Sequence, residues 1–183
     1  MEKKLSGKLV AIIVTDGFEQ SEFEKPKQAL EEQGAKVEVI SLKKGKVKAW
    51  KDQNWGDEFT VDATIEEVES GTYDALVLPG GVMNPDKLRV NDFVIDFIAD
   101  FLDEGKPIAA ICHGPWTLIE THNVEGRRMT SYHSIKTDLI NAGVKWVDEE
   151  VVVDDGLVTS RSPKDLPAFC EKMIEEFAEG VHH

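Results

Sequence analysis

The sequence predicts an α/β fold, a mostly parallel sheet with helices on both faces. Two observations carry that prediction. The runs at residues 9–14, 75–78 and 108–111 are short and continuously apolar, the signature of strands covered on both sides. Segments of helical apolar spacing separate or follow them and stop at Gly34, Gly105 and Gly143, because a helix ends readily where glycine adopts a left-handed backbone.

Taken in order, residues 9–14 form the first central strand, rich in β-branched side chains. A turn-rich loop follows, and Ser21-Glu22-Phe23-Glu24 reads as a capping box that starts a helix running to Gly34, with Pro26 tolerated near its beginning. Residues 37–42 give a second strand and complete a parallel, right-handed βαβ unit. Residues 43–62 are the least regular. Lys43, Lys44, Lys46, Lys48 and Lys51 lie near Trp50 and Trp55. In so acidic a chain this fits a surface hairpin, its tryptophans packed on the sheet edge or a subunit interface, better than a basic binding patch. Residues 64–69 read as a short acidic helix. The strand at 74–79 ends in Gly80-Gly81, and a helix over 92–104 places Val94, Phe97, Ile98, Phe101 and Leu102 on one face.

After the strand at 108–111, a helix runs to about residue 120 and another spans about 134–142. Residues 146–147 and 151–153 are strand-like, and Asp154-Asp155-Gly156 turns the chain back through 157–160. The last helix, about 164–178, carries Leu166, Phe169, Cys170, Met173, Ile174 and Phe177 as one apolar stripe, which assigns Cys170 to the core. No repeat or linker divides the chain, so residues 1–183 are expected to form one domain. Val181-His182-His183 has the look of a tag remnant and carries none of the reading.

Composition narrows the function. A hydrophobic fraction of 41% and a charged fraction of 31% describe a globular chain. No apolar run reaches the roughly 20 residues of a membrane helix. The first residues lack a signal peptide's apolar core, and two cysteines make neither a disulfide framework nor a metal pattern, so a cytoplasmic setting without metal or cofactor is expected. A net charge of −14 argues against nucleic acid as the principal partner.

The chemistry gathers at Ala110-Ile111-Cys112-His113-Gly114-Pro115. A buried strand breaks at Cys112, and Gly-Pro opens a helix, which fits a small-x-nucleophile-x-small elbow with Cys112 exposed at its tip. The helix N-terminus behind the thiol is expected to favour the thiolate. A free cysteine closing a core strand is the plainer alternative. Gly80-Gly81, at the carboxyl end of a parallel strand, lies where open α/β sheets place ligands, and its backbone N–H groups could face a developing oxyanion. Alone, such a pair is more often a turn.

Cys112-His113-Gly114-Pro115, Pro79-Gly80-Gly81, Asp16-Gly17-Phe18-Glu19, Thr130-Ser131-Tyr132 and the segment from Asn141 to Asp148 together resemble the PfpI family. That family comprises intracellular proteases and deglycases of the class I glutamine-amidotransferase-like superfamily. The resemblance covers nearly the whole chain and implies a flavodoxin-like three-layer sandwich. It implies Cys112 as nucleophile, Glu19 as the buried acid on the thiol, and the N–H groups of Gly81 and His113 as the oxyanion hole. His113 is the implied base, with Asp86 of a neighbouring subunit completing a triad in at least a homodimer. Gly80, Tyr132 and Trp116 are implied substrate contacts. Trp116 stands where relatives commonly carry Gln, and it would narrow the pocket mouth.

The resemblance implies a stress-protective enzyme of the deglycase/glyoxalase kind, acting on 2-oxoaldehydes such as methylglyoxal or on glycated proteins and peptides through a Cys112 hemithioacetal. The alternatives are an intracellular cysteine peptidase using Cys112, His113 and Asp86, and a redox sensor or holdase with an oxidisable Cys112.

Overall fold

The computed structural model describes residues 2–183, and strands and helices alternate along them. The first half contains β1 (Leu9–Ile13), α1 (Gln20–Glu32), β2 (Lys36–Ser41), a hairpin of β3 (Lys46–Lys51) and β4 (Asn54–Thr60), β5 (Ala63–Thr64), β6 (Ala75–Leu78) and α2 (Met83–Leu88). The second half contains α3 (Asp92–Asp103), β7 (Ile108–Ile111), α4 (Pro115–Ile119), β8 (Arg128–Met129), α5 (Lys136–Asn141), β9 (Lys145–Trp146), β10 (Val152–Asp154), β11 (Leu157–Ser160) and α6 (Leu166–Glu179).

Seven strands make the central sheet in the order β10-β11-β7-β6-β1-β2-β5. Every neighbouring pair is parallel except β10 with β11, which share the turn at Asp154-Asp155-Gly156. The side-chain alternation of β1 divides the core. Val10 and Ile12 pack with Phe23 and Leu30 of α1 and with Phe169, Met173 and Phe177 of α6. Ala11 and Ile13 face the opposite layer, with Val94, Ile98 and Phe101 of α3 and Leu139 of α5. Each of the larger of these side chains, fully withdrawn from water, contributes about 1.5–3 kcal/mol before conformational entropy is counted. This is the expected three-layer sandwich.

Local chemistry shifts several boundaries. The first helix begins at Gln20, with Glu19 at its N-cap and no side-chain cap, so the expected Ser21–Glu24 capping box does not form. The acidic segment at 64–69 makes one 3-10 turn, Ile65–Glu67, closed by a capping box between Thr64 and Glu67. Cys170 is half-buried against the α1-side core, not inside it. The C-terminal tail packs on the body: the His182 N–H donates to the Gly105 carbonyl at 2.7 Å, and the ring lies 3.2 Å from Glu176. Among the described residues no helix is long and apolar enough to cross a membrane.

Strand order reverses at β1, whose neighbours β2 and β6 are reached by crossovers in opposite directions along the sheet. Open α/β sheets leave a crevice at the carboxyl ends of strands around such a point. The loops after β1, β6 and β7 meet there.

Candidate active site

The elbow after β7 is the most constrained of the three loops. Cys112 adopts φ 64°, a left-handed conformation costly for a side-chain-bearing residue. The turn is held on both sides. Cys112 N–H donates to Ser160 of β11 at 3.0 Å, and its carbonyl accepts from Tyr132 N–H at 2.9 Å. Gly114 completes the turn by donating to Ile111 at 2.9 Å, and a Cβ there would collide with the Leu78 carbonyl. Small residues are therefore required by close approach, as the elbow pattern predicts.

The thiol is 8% exposed. Burial pushes its pKa up, the negative charge of an ionised Glu22 pushes the same way, and the backbone N–H groups of His113 and Gly81 act against both by donating to the sulfur. This corrects the expectation of a thiolate favoured by a helix behind it. The helix, α4, has five residues, and desolvation outweighs it.

The acid on the thiol is Glu22, not Glu19. Glu22 is fully buried, accepts from the Gly80 N–H at 3.0 Å and lies against the Cys112 thiol. Burial raises its carboxyl pKa to about 8, and the charge of Glu19 adds to the rise. Glu22 is therefore largely protonated at neutral pH. A protonated Glu22 removes its own charge from the thiol's surroundings and becomes a possible donor to sulfur. Glu19, at the helix N-cap, is half-buried and takes a hydrogen bond from Ser21; burial and then the charge of Asp52 raise its pKa. Spacing explains the displacement: one helical turn carries position 22 inward beneath the Gly pair and leaves position 19 at the rim. The candidate capping box disguised Glu22 as a capping-segment residue.

Gly80 packs against both Glu22 and Cys112 and is not a pocket-lining residue. A Cβ at this position would stand 2.7 Å from both the Cys112 Cβ and Glu22 Oε1. Asn84 fixes the Gly pair: fully buried, it donates to the carbonyls of Pro79 (3.0 Å) and Gly80 (3.1 Å) and accepts from Thr15 N–H at 2.8 Å. Nothing in the sequence pattern singles it out.

His113 turns back onto its neighbour, placing Nδ1 3.3 Å from Cys112 Sγ and Nε2 3.2 Å from Ser134 Oγ. Burial, with His133 nearby, lowers its pKa to about 4, so the imidazole is neutral at pH 7. Among the described residues no carboxylate contacts its ring. Asp86 is exposed on α2 and does not line the pocket that holds His113. Tyr132 stacks on His113 with ring centroids 4.8 Å apart. Trp116 meets His113 edge-on at 5.1 Å, donates to Asp138 at 2.8 Å and does not line the pocket, so it supports the imidazole instead of narrowing the mouth.

The resulting pocket, about 530 Å³, is lined among others by Glu19, Glu22, Gly81, Cys112, His113 and Tyr132. Trp50 also lines it. The β3–β4 hairpin, expected at the surface, docks on the loop after β1: Gly17 N–H donates to Lys48 at 2.8 Å and Trp50 N–H to Phe18 at 2.7 Å. One of its two tryptophans is thus a wall of the site.

The site thus gathers a buried thiol on a strained elbow, two backbone N–H groups and a buried carboxyl at the carboxyl ends of the central strands of an α/β sheet. Residues 8–176 match the DJ-1/PfpI family, and the chain belongs to it. It is 46% identical over 164 residues to general stress protein 18 of Bacillus subtilis, covering 89% of this chain and 94% of that one. It is 45% identical over 163 residues to protein/nucleic acid deglycase 2 of Escherichia coli, covering 88% and 93%. The solved structure of Drosophila melanogaster DJ-1beta superposes with a TM-score of 0.85 at 33% identity, covering 93% of this chain and 90% of that one.

Proposed function

We propose that this protein is a cysteine-dependent enzyme of the deglycase/glyoxalase kind, acting on 2-oxoaldehydes or their early adducts on proteins. The observation that carries the reading is the Cys112–Glu22 pair, a thiol and a carboxyl titrating near neutrality, on one pocket with the N–H groups of Gly81 and His113. A deglycase among the similar proteins supports the same class.

In this reading Sγ attacks the aldehyde carbon, the carbonyl pair moves onto oxygen, and that oxygen settles against the two N–H groups and takes up the thiol proton. On an early amine adduct the amine leaves with one proton, and the same hemithioacetal results. The ionised fraction of Glu22, whose pKa is about 8, takes the proton from the former aldehyde carbon and returns it to the neighbouring carbon, while the hydroxyl proton passes to the neighbouring oxygen, giving the thioester of a 2-hydroxy acid. Neutral His113 is the second group able to accept a proton there. Water cleaves the thioester and returns the thiol. The balance needs one water and no oxidant.

The test is lactate release from methylglyoxal by the wild type and by Cys112→Ala, beside a fluorogenic peptide. Lactate formation that vanishes with the thiol, without peptide cleavage, supports the aldehyde chemistry. Peptide cleavage without lactate, reduced further by Asp86→Asn, would put the peptidase reading in its place. Neither activity would leave the oxidisable-sensor reading.

A further inference from the structure

We propose that Glu176, Glu179 and His182 form a zinc(II) site that ties the C-terminal tail to the last turn of α6. It lies beside the turns that lead into β7 and β11, at the edge of the sheet opposite Cys112.

The three donors converge. Glu176 and Glu179 stand at i and i+3 on α6 and so share one face, and Gly180, with φ 84°, turns the chain back to bring the His182 ring to them. One ligand atom from each residue lies within 4.8 Å of the other two. His182 Nε2 is 3.2 Å from Glu176 and 3.7 Å from Glu179. That nitrogen is withdrawn from water and makes no hydrogen bond: Glu176 is near enough but misaligned, and Glu179 is too far. The arrangement is poor hydrogen bonding and good ligation. Donors bound to zinc at about 2.0–2.2 Å stand about 3.3–3.5 Å from one another, and the exposed Glu179 side chain is free to close the remaining gap.

The ring has a fitted seat. The His182 N–H donates to the Gly105 carbonyl at 2.7 Å. A Cβ at Gly105 would collide with the His182 carbonyl, and one at Gly156 would stand 2.8 Å from the ring's Cδ2. Glu176 is 8% exposed, and the Gly156 N–H donates to its carboxyl.

The charge around the donors calls for a cation. The carboxyl end of a helix is its negative pole, yet the last turn of α6 carries no basic residue. Nearby cations are engaged elsewhere: Lys172 pairs with Glu175, Lys106 with Glu104 and Arg127 with Asp154. Lys8 Nζ approaches the backbone at Gly180 without pairing with a carboxylate among the described residues. Two carboxylates therefore share one imidazole. That donor set suits Zn²⁺, with a fourth position for water, whereas Mg²⁺ and Ca²⁺ favour oxygen ligands alone.

The test titrates Zn²⁺ into the chain, free of any added histidine tag, against a chromophoric chelator. One equivalent should bind with a dissociation constant of about 1 µM or tighter, and within about threefold of that in Cys112→Ala, which removes the pocket thiol as a rival ligand. His182→Ala should weaken binding at least about 100-fold, Glu179→Gln about tenfold, and His183→Ala less than about threefold. In the Cys112→Ala background Zn²⁺ should raise the urea midpoint, and adding His182→Ala should abolish that rise. Binding weaker than about 100 µM, binding that survives His182→Ala, or binding lost with Cys112→Ala would each overturn the site, as would displacement of Zn²⁺ by millimolar Mg²⁺. The imidazole ¹⁵N resonances read ligation without touching the donors. One equivalent of Zn²⁺ should shift His182 Nε2, and an unmoved resonance overturns the proposal.

Discussion

The two cysteines sit in one fold under opposite conditions. Cys170 lies half-buried on a regular helix, its pKa raised by burial to about 11 with Lys25 opposing, and among the described residues no backbone N–H donates to its sulfur. Cys112 is the more buried thiol and is pushed up further, yet it has φ 64°, two N–H donors on its sulfur and a carboxyl that titrates near neutrality. Exposure and acidity of the free chain would rank Cys170 as the more reactive. What separates them is the set of fixed donors around Cys112, which in the proposed reaction act on the charge that forms as a substrate carbon is attacked. The comparison is broken most simply by deleting each sulfur. Cys112→Ala should lower turnover by at least about 10³-fold, and Cys170→Ala should leave it within about twofold while costing on the order of 1 kcal/mol of stability. Comparable losses in both variants would dissolve the distinction.

A second contrast lies within one helical turn. Glu22→Gln keeps the shape and hydrogen-bonding capacity beside the sulfur but cannot carry a proton. It should lower kcat by about 10²–10⁴ while changing the chloroacetamide alkylation rate of Cys112 by less than about tenfold. Glu19→Gln should leave kcat for methylglyoxal within about tenfold, because Glu19 stands at the rim. A kcat loss at Glu19 larger than at Glu22 would restore the assignment that the family resemblance implied. Gly80→Ala attacks the same pair from between. A methyl set 2.7 Å from both Cys112 Cβ and Glu22 Oε1 must displace one of them, at a cost of about 1–3 kcal/mol in denaturant stability.

These contrasts also mark what the sequence could disclose. The strands at 108–111 and 75–78 are legible as short continuous apolar runs, and the helix expected over 92–104, observed at Asp92–Asp103, by its apolar spacing and the glycine that follows it. The elbow is legible because close approach forces residue types: nothing larger than glycine fits at Gly114. Glu22 was hidden, since a carboxylate in a first helical turn ordinarily faces water and caps, and only the placement of the Gly80 loop over α1 turns it inward. Trp50 was hidden for a related reason. The sequence suggests a surface hairpin somewhere in residues 43–62, but its turn at Asp52 and Gln53 and its docking on the loop after β1 are seen only in the structure. A partner for His113 from Asp86 is a matter between chains, which no single-chain periodicity records.

The last expected effect is a slope. A carboxyl that titrates near 4.5 when unfolded and near 8 when folded makes the folded chain bind more protons between those values, so its stabilising contribution is present below pH 4.5 and is lost as pH rises through 8. His113 works oppositely. Its pKa is depressed to about 4 in the fold, so stability rises with pH from about 4 to its ordinary 6.5. The two trends overlap in the wild type and mask each other below pH 6.5. Glu22→Gln retains His113, so the difference between the chains isolates the carboxyl. From pH 5 to 8 the variant should gain on the wild type by on the order of 1 kcal/mol per pH unit in urea-derived unfolding free energy, and the gain should level off above pH 8. Parallel curves would mean that Glu22 ionises as an ordinary surface carboxylate, and the distinction between the Cys112 and Cys170 environments would then rest on backbone N–H donors alone.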